Sequence, residues 1–168
     1  MEIEKRLVSR AKKGDKEAFS EIYACIYKDM YKYAYYILGN AEDAQDIVSD
    51  AVIDAYQSIR KLKDDSLFRN WIFKILSNKC RRKKKQYLDK IVPLEEDMKI
   101  SEDDYESKYD MMHAFSKLDE QEQTVVSMAV FAGYKSHEIG EYLNLNPATV
   151  RSKLSRALSK LQKTLEVL

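Results

Sequence analysis

A chain of 168 residues has room for one ordinary domain or two small ones. Its 45% hydrophobic and 34% charged residues exclude wholesale disorder, and only 4 Gly and 2 Pro leave few helix breakers. The formal net charge of +1 hides a segregation: residues 60–90 carry 12 Lys/Arg against 3 Asp/Glu, and residues 93–110 carry 8 Asp/Glu against 2 Lys, as expected of a nucleic-acid-facing segment beside a solvated connector.

A short first helix is expected over 7–12, ended by Gly14. Asp15 is a good N-cap for the next, where Ala18, Phe19, Ile22, Tyr23, Ile26, Met30, Tyr33, Ala34 and Ile37 recur at three- and four-residue steps until Gly39. Six tyrosines between Tyr23 and Tyr36 read as amphipathic packing at the rim of a core. Asn40 caps a third helix reaching to about Leu62. Its apolar stripe is Ala44, Ile47, Val48, Ala51, Val52, Ala55, Tyr56 and Ile59, and its opposite side carries Glu42, Asp43, Asp46, Asp50 and Asp54. Residues 63–66 read as a loop. A fourth helix runs through Phe68, Trp71, Ile72, Ile75 and Leu76 into a basic end, with Trp71 placed in the core by its spacing.

From Tyr87 to about Asp110 periodicity fades, acidity rises and Pro93 intervenes, the composition of a linker. Periodicity returns at Met111, Met112, Phe115 and Leu118. A helix from Glu120 to about Ala132 then carries Val125, Val126, Met128, Ala129 and Phe131, and Gly133 closes it. The fold expected is all-α: two small helical domains, 1–86 and 111–168, joined by a flexible acidic linker, 87–110.

The last segment carries the sharpest pattern. Ser136 is positioned to cap a short helix burying Ile139 and Leu143, and Asn144 suits a tight left-handed turn. Leu145 plugs the angle. Asn146-Pro147 supplies an N-cap followed by Pro at the first helical position, where its missing N–H costs nothing. Val150, Leu154, Ala157, Leu158 and Leu161 form the buried side of the second helix. Ala148, Thr149, Arg151, Ser152, Lys153 and Arg156 are left outward near its N-terminal end, where recognition helices present base-reading side chains. Residues 136–160 therefore read as a DNA-reading helix-turn-helix, with an αα-hairpin bearing a solvated basic face as the alternative.

No window approaches the roughly 20 apolar residues of a membrane span, and residues 1–13 lack the apolar core of a signal peptide. Cys25 and Cys80 have no CxxC spacing and are expected to be free thiols in a reducing cytoplasm. His113 and His137 lie a helix apart with no metal-ligand arrangement, and no phosphate-cradling Gly motif occurs. Neither a catalytic activity, a cofactor nor a metal is expected.

Residues 133–157 (Gly-Tyr-Lys-Ser-His-Glu-Ile-Gly-Glu-Tyr-Leu-Asn-Leu-Asn-Pro-Ala-Thr-Val-Arg-Ser-Lys-Leu-Ser-Arg-Ala) resemble region 4 of extracytoplasmic-function (ECF) sigma factors. Residues 118–123 resemble the start of that region, residues 43–50 (Asp-Ala-Gln-Asp-Ile-Val-Ser-Asp) its region 2.2, and residues 66–78 its regions 2.3 and 2.4. Three blocks in order cover nearly the whole chain. Gln45, Ser49, Asn144 and Arg81-Arg82 depart from the usual family residues.

The resemblance implies a dissociable initiation subunit of bacterial RNA polymerase, with domain 1–86 as sigma region 2 and domain 111–168 as sigma region 4. Thr149, Arg151, Ser152, Lys153 and Arg156 would contact the −35 duplex. The loop 61–69 and Asn78 would capture a −10 base, with Phe68 either stacking on it or belonging to the core. Lys79, Arg81, Arg82, Lys83, Lys84 and Lys85 would run along phosphates near the −10 element. Asp43, Asp46 and Asp50, with Asp54 a further candidate, would meet the β′ clamp helices of the core polymerase, which also offers its β subunit. An anti-sigma factor, often membrane-bound in the family, would hold the chain inactive in the bacterial cytoplasm. The competing readings are a stand-alone DNA-binding regulator and a nucleic-acid-processing enzyme with a helical substrate domain.

Overall fold

The computed structural model describes residues 5–89 and 105–167, with side chains for 5–87 and 109–167. Its regular elements are helical throughout the described residues, in two compact units, Met1–Pro93 and Leu94–Leu168.

Among its described residues the first unit packs four helices: α1 (Lys5–Lys12), α2 (Lys16–Leu38), α3 (Ala41–Ser58) and α4 (Phe68–Asp89). Asp15 has extended backbone and accepts from the Ala18 N–H at 3.0 Å, which starts α2. That bond, followed by the one to Arg10, holds its carboxyl below the usual carboxylate range. Gly39 ends α2 at φ 70°, a left-handed conformation that glycine adopts without a steric penalty. Asn40 then accepts from the Asp43 N–H at 2.9 Å and starts α3. The core brings Ile22, Ile26, Met30 and Tyr33 of α2 together with Ala44, Val48, Ala51 and Ala55 of α3 and Phe68, Ile72, Phe73 and Leu76 of α4. Small residues along α3 let its backbone sit close to α2.

Some boundaries differ from expectation. Helix α3 stops at Ser58, and a 3-10 turn over Ile59–Lys61 replaces its last turn. A second 3-10 turn, Asp65–Leu67, leads into α4. Tyr35 and Leu38 are buried while Ile37 is half-buried, so the buried face of α2 turns near its C-terminal end. Tyr23, Tyr27, Tyr31 and Tyr35 form a ladder of ring contacts at 5.4, 6.3 and 5.9 Å along the helix, in keeping with packing at the rim. Cys25 and Cys80 are both free thiols, and burial pushes the Cys80 thiol up to about 12.

The second unit comprises α5 (Tyr105–Ser116), α6 (Glu120–Val130), α7 (Ser136–Leu143) and α8 (Pro147–Leu165). Asp119 and Glu122 form a reciprocal capping box at the start of α6, each carboxylate accepting from the other residue's backbone N–H at 2.8 and 3.0 Å. Phe115, Leu118, Val125, Met128, Ile139, Val150, Ala157 and Leu161 make the core. The stretch read as linker, 87–110, is helical at both ends, to Asp89 and from Tyr105; its middle, 90–104, lies outside the described residues.

Candidate nucleic-acid interface

The helix-turn-helix is built by local chemistry in three steps. Lys135, not Ser136, occupies the N-cap of α7, and its backbone N–H donates to the Glu138 carboxylate at 2.7 Å. The expected Ser136 cap is thus displaced by one residue, because Glu138 is spaced to close on position 135. Asn144 ends α7 at φ 55° and ψ 47°, and Asn146 accepts from the Ala148 N–H at 2.8 Å to start α8, with Pro147 at its first position. The chain turns so tightly that a Cβ on Gly140 would stand 2.5 Å from the Leu145 carbonyl oxygen. The Leu145 N–H in turn donates to the Gly140 carbonyl at 2.8 Å.

Val150, Ala157 and Leu161 face inward from α8, as expected, but Leu158 is 44% exposed. Three buried positions at seven- and four-residue spacing suffice to seat the helix, and Leu158 falls beyond their edge. Thr149, Arg151, Ser152 and Arg156 are exposed on the first turns, as is Ala148. The Ser152 hydroxyl donates to the Ala148 carbonyl, and Arg156 Nε donates to the Ser152 carbonyl at 3.2 Å. Lys153 is half-buried and close enough to Asp119 to help lower that carboxyl, after the dominant backbone bond from Glu122. Its charge is therefore shared with the protein's own surface.

In the first unit the predicted residues separate. Phe68 is 1% exposed, with its ring 5.8 Å from that of Trp71. This corrects the base-stacking alternative: Phe68 is a core residue. Its exposed neighbour is Leu67, 49% accessible at the end of the second 3-10 turn. Asn78 is half-buried and accepts from Arg81 Nη2 at 3.3 Å. Arg81, Arg82 and Lys85 are exposed and lie on one strip of α4 with Asn78. Lys84 is half-buried.

Lys79 and Lys83 turn toward α3. Lys79 Nζ lies 2.8 Å from Asp54 and retains 14% side-chain exposure, and Lys83 Nζ lies 2.7 Å from Asp43. The Tyr87 hydroxyl also donates to Asp43, and Lys83 sits 5.8 Å from the Tyr87 ring centre. Burial opposes ionisation of Asp43, yet the Lys83 and Tyr87 bonds outweigh it and hold the carboxyl below its usual value. Burial, reinforced by the Asp43 charge, pushes the Tyr87 phenol upward. Two of the carboxylates assigned to a basic partner therefore already have one inside the unit. Asp46 and Asp50 remain exposed on α3, with Ile53 beside them at 53% exposure.

Sequence reasoning passed over Ile53 and Leu67. Ile53 follows Asp46 by seven residues and Asp50 by three, on the polar side of α3, where an isoleucine has no packing reason to be. That misplacement was the available signal. Among the described residues no group of three or more His, Cys, Asp and Glu side chains could hold a metal ion, and no helix is long and apolar enough to cross a membrane.

Comparison with known proteins agrees with this division. Residues 22–87 match the family model for sigma-70 region 2, and residues 109–161 match that for sigma-70, region 4. The chain is 33% identical to the ECF RNA polymerase sigma factor SigW of Bacillus subtilis, across 98% of this chain and 97% of that protein. It is 26% identical to the RNA polymerase sigma-H factor of Pseudomonas aeruginosa, across 99% and 96%. The fold is shared with CnrH, solved in complex with the cytosolic domain of CnrY (TM-score 0.70, 21% identity, 98% of each chain). It is also shared with the sigma factor RpoE of Bartonella quintana, solved with the anti-sigma factor NepR (TM-score 0.71, 20% identity, 89% of this chain and 97% of that one).

Proposed function

The chain belongs to the ECF sigma factors of the sigma-70 family, and from that premise we propose how its surfaces divide the work of promoter-specific initiation. The second unit reads the −35 duplex. Thr149, Arg151, Ser152 and Arg156 stand on the first turns of a capped helix, the position from which recognition helices reach base edges in the major groove. That exposed face is the observation that carries the reading. Lys153 contributes a shared charge at its margin.

The first unit engages the −10 element. Arg81, Arg82 and Lys85 supply cations for the backbone, and Asn78 with the loop 61–69 receives an unpaired base. Flipping a base out costs a few kcal/mol, so a capture loop whose shape is already fixed adds little further ordering cost. Leu67 takes the apolar role that Phe68 cannot. Lys79, Lys83 and Lys84 support the strip from its flank.

Asp46 and Asp50, with Ile53 beside them on one face of α3, form the surface for core polymerase. Exposed charges there orient association, and the apolar side chain adds contact area. Asp43 and Asp54 act inside the unit instead. The polymerase supplies the catalysis. An anti-sigma factor, membrane-anchored in this reading, keeps the chain inactive in the bacterial cytoplasm, and the residues between α4 and α5 join sigma regions 2 and 4.

The test is reconstitution. Purified chain added to bacterial core polymerase should direct initiation from a subset of a randomised promoter pool. Tight operator binding by the chain alone, with no association with core, would instead identify a stand-alone regulator.

A further inference from the structure

The loop 61–69 is held from an unexpected direction. Leu62 and Phe68 are buried at its two ends, at 7% and 1% exposure, and Arg69 is tied to Asp29 of α2 at 2.8 Å. Between those ends, Asp64 accepts from both the backbone N–H and the hydroxyl of Ser66, at 2.8 and 2.6 Å. The tie from outside at the middle of the loop comes from α1. Lys12 Nζ meets Asp65 Oδ1 at 2.7 Å across 53 residues of sequence, with both side chains about three-quarters buried. Helix α1 packs on both 3-10 turns and is itself seated by Val8 and Ala11. It also precedes the residues matched to sigma-70 region 2, which begin at 22.

We propose that Lys12 is a positioning residue for promoter opening: through Asp65 it fixes the shape in which the loop presents Leu67 to the −10 strand. The proposal rests on the reading that this loop engages that strand. Its physical basis is preorganisation. A loop that orders only when the strand arrives charges that ordering against binding, whereas a loop already tied does not. A lone, partly exposed ion pair adds little to global stability, so the effect of losing this one should fall on the loop rather than on the fold.

The experiment uses full-length chain with core polymerase on a promoter selected by the wild-type chain from a randomised library, with 2-aminopurine in the −10 element. Lys12→Met and Asp65→Asn are each expected to lower the yield of open complex about fivefold, without weakening core association or the closed complex. Lys12→Arg should restore opening, and the double variant should be no worse than either single one. Leu67→Ser probes the loop directly. Normal opening by Lys12→Met beside a defect in Leu67→Ser would overturn the positioning role and leave the loop reading standing. Normal opening by Leu67→Ser as well would overturn both. Parallel losses in core association and opening would reduce Lys12 to a structural residue.

Discussion

Glu122 shows how much a single side chain does in the second unit. It is 6% exposed, closes the capping box of α6 and meets Lys160 of α8 at 2.6 Å. The Lys160 bond, against the opposing effect of burial, lowers its pKa. A carboxyl whose folded pKa is depressed stabilises the fold above its unfolded value and loses that contribution as pH falls through the folded one. Glu122→Gln should therefore lower the melting temperature at pH 7, and its gap to wild type should narrow progressively as pH falls below the ordinary glutamate range, as thermal melts across pH would record. Ser127 offers the opposite case. It is wholly buried in α6, and its hydroxyl has no hydrogen-bond partner among the described residues. An unsatisfied buried hydroxyl costs about 1–3 kcal/mol, so Ser127→Ala should leave the melting temperature unchanged or raise it. At the proposed DNA surface, Arg151→Ala should cost about 1–3 kcal/mol of −35 affinity and relax preference at one base pair. Binding to single-substitution duplexes would measure this.

At the scale of elements, the turn between α7 and α8 has the least tolerance. Gly140→Ala sets a methyl group against the Leu145 carbonyl, an overlap that neither backbone segment relieves without moving. Overpacking of this kind typically costs about 1–3 kcal/mol. The expected outcome is a lower melting temperature together with loss of −35 duplex binding, because the angle of α8 changes; retention of wild-type affinity would show that the turn absorbs the methyl group. This element was legible in sequence because its determinants are local: Asn144 for the left-handed residue, Asn146 and Pro147 for the helix start. The caps at Asp15 and Asn40 were legible for the same reason. Phe68 stands four and eight residues before the buried Ile72 and Leu76, so spacing already offered the core reading, and only the family resemblance kept a base contact open. What escaped notice depended on distant neighbours. An acidic stripe on α3 does not disclose that Asp43 lies within reach of Lys83, forty residues on. The Ser136 cap failed on a finer point, the competition of Glu138 for the adjacent backbone position.

For the whole molecule, the proposed reading gives each unit its own promoter element, so the spacing between the elements becomes a testable variable. Inserting about half a turn of DNA, ~5 base pairs, between −10 and −35 should reduce initiation by the reconstituted polymerase more than tenfold. The affinity of free chain for the −35 duplex should not change. Equal initiation from both spacings would mean that one element alone specifies the promoter. The pairing of Lys79 with Asp54 and of Lys83 with Asp43 has a further consequence, in the ionic atmosphere of the DNA. Cations already neutralised within the unit displace no counterions when a strand binds. The six basic residues between 79 and 85 would by themselves give a logarithmic dependence of affinity on salt of slope about −4 on single-stranded DNA, whereas the four left after those two pairings, Arg81, Arg82, Lys84 and Lys85, give about −3. The strip should therefore hold the −10 strand more gently, and remain effective at higher ionic strength, than its sequence of charges suggests.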